Sequence, residues 1–229
     1  TTAGTGHSFT LDTTGPTATV AITAVSTDTG ATDYVTSDTT LTVSGTNGAL
    51  VTGEKLQVSI DNGTTWNDAT VSGTTWSYVD PVTHTDGTVT YKVQIVDIAG
   101  NVDTNTATRA VTVDTIAPTV VAGAETSNNT TNTVAKVGNV ITEAFTSTDT
   151  VSGVTIGGHT ATVVKGSGNN YTATYTVASG DELGGSGISI TSVDTAGNST
   201  TVTAAGSVTI DTTAPTATAI VTAISPDTG

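Results

Sequence analysis

Two short motifs recur in this chain at a locked spacing, and that spacing limits what the chain can fold into. The first is an Asp followed four residues later by Pro: Asp12-Thr13-Thr14-Gly15-Pro16, Asp114-Thr115-Ile116-Ala117-Pro118 and Asp211-Thr212-Thr213-Ala214-Pro215. The second, Asp97-Ile98-Ala99-Gly100-Asn101 and Asp194-Thr195-Ala196-Gly197-Asn198, begins 17 residues before the next linker Asp each time. The linker aspartates stand 102 and 97 residues apart, about one small β-sandwich each. Two motifs in step at that period define a tandem array, and arrays serve as stalks or binding scaffolds more often than as enzymes.

A longer repeat overlays the short one. Thr17–Gly30 is nearly restated by Thr216–Gly229, an offset of 199 residues, whereas Val134–Asn139 has no counterpart near Leu41. The expected order is therefore the last strand of a preceding module over 1–11, module A over 12–114, module B over 115–211, and the first strand of a following module over 212–229. The chain reads as a cut from a longer alternating array.

Composition agrees with an all-β reading. Thr, Val, Ala, Ser and Gly dominate, only 11% of the 229 residues are charged, and Met is absent. Aromatics are 4%, so each core rests on Val, Ile and a few large anchors, and outside help from metal or neighbours becomes relevant. The net charge of −15 repels nucleic acid and anionic lipid, so neither is an expected partner. Absence of Cys removes disulfides, thiolate zinc sites and a thiol nucleophile. No apolar stretch is long enough to insert into a membrane.

Period-two alternation marks the strands: Leu41–Ser44, Leu56–Ile60 and Val89–Ile95 in module A, and Val137–Phe145, Val154–Ile156, Tyr171–Val177 and Ile188–Ile190 in module B. Asp61-Asn62-Gly63 predicts a type I′ hairpin turn, because Asn-Gly accepts positive φ at both central positions. Val71-Ser72-Gly73 signals a second hairpin. Short strands at this cadence predict immunoglobulin-like antiparallel β-sandwiches in tandem, forming an elongated array without helices. The predicted core is Trp66, Trp76, Val58, Tyr91 and Val93 in module A, and Phe145, Tyr175, Val177 and Ile190 in module B.

Leu11–Thr17, Val113–Thr119, the two Asp-x-Ala-Gly-Asn strings and Ser59-Ile60-Asp61-Asn62-Gly63-Thr64-Thr65-Trp66 together resemble bacterial Ig-like repeats. Such repeats build giant type I-secreted surface adhesins of the biofilm-associated and RTX types. The resemblance covers essentially the whole chain; residues 1–5 depart from it, since Ala3-Gly4 lies out of register with Gly100. It implies an extracellular stalk on the bacterial cell surface, with calcium at module junctions. It also implies neighbouring repeats of the same chain as partners, and any host or biofilm-matrix ligand held through other domains.

Calcium takes six to eight oxygens from carboxylates and carbonyls. Ig topology places the loop before the last strand beside the incoming linker, so Asp97 and Asn101 are expected near Asp12, and Asp194 and Asn198 near Asp114. The loop after the first strand faces the next linker, which brings in Asp28 and Asp33, with Asp80 or Asp86; Asp211 repeats the arrangement. The bland reading of the same residues is turn formation, because Asp and Asn readily bond their own backbone. Asp68, Asp103 and Asp149 read as solvated loop residues, and so does the pair Asp181-Glu182. His7, His84 and His159 are isolated in sequence, and no metal-protease or nucleophile-elbow string occurs, so no enzymatic activity is expected. The main rival to a stalk is a glycan- or protein-binding module, for which Tyr34 and Tyr78 are the loop-adjacent candidates.

Overall fold

The computed structural model describes residues 10–181 and 184–217. Every regular element among them is a strand. Grouping by proximity gives two compact units. The first runs through Pro118 and takes in Val193–Ser199; the second comprises Thr119–Ser192 and the residues from Thr200 onward. Of the terminal strands expected at 1–11 and 212–229, residues 1–9 and 218–229 lie outside the described residues, and the described remainder carries no strand.

Among the described residues the first unit holds β1 (Val20–Val25), β2 (Val35–Thr36), β3 (Thr42–Asn47), β4 (Lys55–Ser59), β5 (Asn67–Asp68), β6 (Thr70–Ser72), β7 (Thr75–Val79), β8 (Gly87–Val96) and β9 (Ala107–Val113). They form one sheet in the order β1-β3-β7-β6 and another in the order β2-β9-β8-β4-β5. Apart from β2, which runs parallel to the end of β9, the ladders are antiparallel. Alternating residues point inward, so Leu41, Val43, Leu56, Val58, Tyr91 and Val93 pack with Trp76 in one core. Asn62 and Gly63 both have positive φ (63° and 97°), as the hairpin reading requires. The Asp61 carboxylate caps this turn by accepting from the Thr64 and Thr65 amides and the Thr65 hydroxyl.

Trp76 is buried at the centre of its sheet, where its indole N–H donates to the Ala21 carbonyl at 3.1 Å. A Cβ at Gly45 would stand 1.8 Å from that same carbonyl, so only glycine lets β1 bulge inward there. Trp66 departs from expectation: it sits just after the Asp61–Gly63 turn, beside Gly63, and is only half-buried.

The second unit repeats the plan with β10 (Val120–Ser127), β11 (Val134–Ala135), β12 (Val140–Ser147), β13 (Thr150–Ile156), β14 (His159–Thr160), β15 (Thr162–Lys165), β16 (Asn170–Thr176), β17 (Gly184–Gly185), β18 (Ile188–Val193), β19 (Ser199–Ala204) and β20 (Thr209–Ile210). Its sheets run β10-β12-β16-β15, β14-β13-β18-β19 and β11-β20-β17. Ile141, Phe145, Ile156, Tyr171, Val177 and Ile190 are among its core residues.

Two expectations change here. The run Val137–Phe145 is not one strand: Gly138 turns the chain at φ 84°, and the Asn139 side-chain oxygen accepts from the Lys136 amide, so β12 starts only at Val140. Tyr175 is half-buried rather than central, because its ring stacks on His159 with centroids 4.9 Å apart and its hydroxyl reaches Asp181.

The registers of the first ladders superimpose. In module A, Val20 pairs with Asn47, a bulge follows Ile22, and Val25 then pairs with Val43. In module B, Val120 pairs with Ser147, a bulge follows Ala122, and Glu125 then pairs with Glu143. One pair of inward-facing positions thus holds two valines in module A and two glutamates in module B.

Candidate functional site

The three linker aspartates adopt one local structure. Oδ1 of Asp12, Asp114 and Asp211 accepts the amide two residues on, from Thr14, Ile116 and Thr213, at 3.0, 3.0 and 2.9 Å. This is an Asx turn, and it aims the chain into the following proline. Pro16 and Pro118 are buried, which fixes both φ and position.

The Asp-x-Ala-Gly-Asn loops are equally alike. Asp97 Oδ1 accepts the Ala99 and Asn101 amides at 2.9 and 2.8 Å, and its Oδ2 accepts the Asn101 side-chain amide at 2.8 Å. These bonds, the Asn101 side chain foremost, hold the Asp97 carboxyl below the usual carboxylate range. Asp194 accepts from Asn198 in the same way, through the backbone amide to Oδ1 and the side-chain amide to Oδ2, both at 2.9 Å. Gly100 and Gly197 supply the positive φ, 89° and 85°, that closes each loop.

In each loop the Asn side chain has a second task. Asn101 Nδ2 donates to the Asp12 carbonyl at 3.2 Å, and Asn198 Nδ2 donates to the Asp114 carbonyl at 2.8 Å. The predicted proximity of each loop to its linker is therefore present, but it is made by an Asn amide on a backbone oxygen. The carboxylates of Asp97 and Asp194 spend both oxygens on their own turns.

The loop after β1 contains the open oxygen. Asp28 Oδ2 accepts the Tyr34 amide at 3.2 Å, while its Oδ1 is buried with no partner. Asp33 is exposed and Oδ1 accepts the Val35 amide at 3.0 Å. Thr29 in this loop donates its hydroxyl to the Ala196 carbonyl, within the first unit. Asp86 grips the linker after module A, accepting the Thr115 amide at 2.7 Å and the Thr115 hydroxyl at 2.8 Å. Asp114 itself donates its amide to the Thr36 carbonyl, as Asp211 does to Ala135. Among the described residues no three His, Asp or Glu side chains gather into a metal-holding group. A calcium ion would need backbone carbonyls and Asn oxygens besides; the unpartnered Asp28 Oδ1 is a buried carboxylate oxygen of the predicted set left open to such a ligand.

Other assignments change. Asp80 does not face the linker: it is buried, accepts the Tyr91 hydroxyl at 2.7 Å and lies 2.8 Å from His84 Nε2. Module B has a counterpart, with Asp181 buried, 3.3 Å from His159 Nε2 and bonded to the Tyr175 hydroxyl at 3.0 Å. His84 and His159 are thus members of Asp-His-Tyr clusters rather than isolated, and the signal available was the Asp80-x-x-x-His84 spacing before a strand tyrosine. Burial, then the Asp80 hydrogen bond, raises the Tyr91 phenol well above its usual range, so it stays a donor. His7 and Glu182 lie outside the described residues. Asp103 is buried rather than solvated, with Oδ1 taking the Ile95 amide. Tyr78 is a buried residue of β7, and Arg109 covers the Tyr34 ring at 4.3 Å, so neither presents a free aromatic face.

Residues 14–115, which cover most of module A, match the family model described as a bacterial Ig-like domain. Three solved structures similar over most of this chain come from adhesins. One is a Ca2+-stabilized adhesin that helps an Antarctic bacterium reach out and bind ice (25% identity over 89% of this chain, TM-score 0.46). Another is from a 1.5-MDa bacterial ice-binding adhesin (23% over 86%, TM-score 0.42). The third is a tetra-tandem repeat in the extending region of a large adhesion protein (20% over 85%, TM-score 0.30). This chain spans 51%, 65% and 50% of those three chains. No curated protein sequence matches it.

Proposed function

We propose that these modules are extender repeats of a bacterial cell-surface adhesin, whose task is to hold a binding domain at a distance rather than to catalyse a reaction. The observation that carries the reading is the repeated Asn-to-linker bond, Asn101 to the Asp12 carbonyl and Asn198 to the Asp114 carbonyl. A binding or catalytic module has no need to restate a linker device in each copy. A stalk does, because its mechanical property lies in its connections. The linker around Asp114 is held by three devices: Asn198, the Thr36 carbonyl, and Asp86 through Thr115.

Calcium belongs to this proposal as a stiffener. With a net charge of −15, the chain repels copies of itself, and a divalent ion turns facing carboxylates from a repulsion into a clamp. Asp28 Oδ1 is the ligand this chain would offer first, followed by Asp33, the free oxygen of Asp114 and the side-chain oxygen of Asn198. Binding only to the folded form adds RT ln(1 + [L]/Kd), about 2.7 kcal/mol at a hundredfold excess over Kd. Melting of the full chain should rise with calcium and fall with chelator, and Asp28→Asn should remove most of the difference. Identical melting with and without chelator would eliminate the stiffener and leave the hydrogen-bonded linker as the whole device.

A further inference from the structure

Module B buries two carboxylates face to face where module A buries two valines. Glu125 and Glu143 are register partners on β10 and β12, in the positions of Val25 and Val43, and are 8% and 0% exposed. Their four oxygens divide evenly. Glu125 Oε2 is saturated by the Ser186 hydroxyl at 2.5 Å and the Ser207 and Val208 amides at 2.7 and 3.0 Å. Glu143 Oε1 accepts the Gly123 amide at 2.9 Å. Glu125 Oε1 and Glu143 Oε2 are both buried without a partner.

Two adjacent buried carboxylates cannot both ionise without a counter-charge. The elements packed around them supply none among the described residues: β16 places Ala173 opposite Glu143, and the 186–208 segment contributes a hydroxyl and backbone amides. A calcium ion would need six to eight oxygens. Here two oxygens are open, the rest are taken by N–H and O–H donors, and among the described residues no third acidic or imidazole side chain joins the pair.

We propose that module B holds a buried proton between these glutamates: Glu143 is the carboxylic acid, and its Oε2–H is offered to the unpartnered Glu125 Oε1. One proton, taken from water and returned to water on ionisation, serves both orphaned oxygens, while three donors already meet Glu125 Oε2. Burial, followed by the neighbouring Glu125 charge, raises the Glu143 pKa in accord with this assignment. The consequence is a module that tightens in acid. A raised folded-state pKa gives stability that is fully present below the unfolded value and is lost as pH rises through the folded value. Between those two values the folding equilibrium constant of module B should fall by up to about tenfold per pH unit.

The chain has four glutamates, Glu54, Glu125, Glu143 and Glu182, so carboxyl carbon NMR of the full chain resolves the question directly. The expected result is one glutamate signal, lost in Glu143→Gln, that titrates well above the ordinary value of about 4.3. The double variant Glu125→Val, Glu143→Val, which installs the module A pair, should fold and lose the alkaline-side decline. Ordinary titration of all four carboxyls overturns the proposal. So does movement of the Glu125 and Glu143 signals on adding calcium, since a metal would then stand where the proton is assigned. If Glu143→Gln fails to fold, assigned wild-type signals still decide between these outcomes.

Discussion

The side-chain amide of Asn198 donates to the carbonyl of Asp114 at 2.8 Å across 84 residues of sequence, and the same amide bonds the Asp194 carboxylate. One residue thus closes its own loop and ties it to the linker. Replacing Asn198 by Ala removes both bonds. A typical hydrogen bond nets about 1 kcal/mol and one to a charged acceptor more, so the expected loss is about 2 kcal/mol, read by thermal unfolding. Asn198→Asp should be worse than Ala, because it sets a second carboxylate against Asp194 and cannot donate. Equal stability of all three chains would remove Asn198 from the account.

Acid should loosen module A, opposite in sign to the effect expected at Glu143 of module B. The Asp61 carboxyl is lowered to about 2, chiefly by the Thr65 backbone amide and then the Thr65 and Ser59 hydroxyls, and Asp68, Asp86 and Asp97 are lowered as well. Groups with depressed folded-state pKa stabilise above the unfolded value, here the ordinary 3.8, and lose that contribution as pH falls toward the folded one. Both tryptophans lie in module A, so indole fluorescence reports it selectively. The expected outcome is a fluorescence-detected destabilisation between pH of about 4 and 2, weaker in Asp61→Ala, which lacks that contribution at every pH and starts from a lower stability. A flat profile across that window would contradict it.

The two tryptophans should separate on truncation. Trp76→Ala empties a buried site and orphans the Ala21 carbonyl, costing about 3–5 kcal/mol. Trp66→Ala, at a half-buried hairpin position, should cost less than half as much. Denaturant unfolding of each variant makes the comparison, and equal costs would mean that Trp66 belongs to the core after all.

The strands, the Asn62-Gly63 turn and most of each core were legible because alternation and turn chemistry are local. Trp66 and Tyr175 were misplaced because alternation assigns a face, whereas burial also depends on distance from the sheet centre. The linker loops were legible as a set, since Asp97, Asn101 and Asp12 keep their spacing in the second copy. What the spacing did not give was the chemistry of contact. Asp97 and Asp194 turn their oxygens inward to their own loops, and the folded loop rather than the spacing decides which acceptor is left open. The Glu125–Glu143 pair was overlooked for a related reason. A glutamate within Gly123-Ala124-Glu125-Thr126 reads as a surface residue until the bulge after Ala122 turns it inward.

The central claim is that the linkers are held rather than slack, and backbone 15N relaxation of the full chain measures that directly. Thr13–Gly15 and Thr115–Ala117 should show order parameters near those of the flanking strands, about 0.85, in the presence of calcium. Values below about 0.6 at these residues, with strands of both modules remaining rigid, would show free hinges and contradict the account.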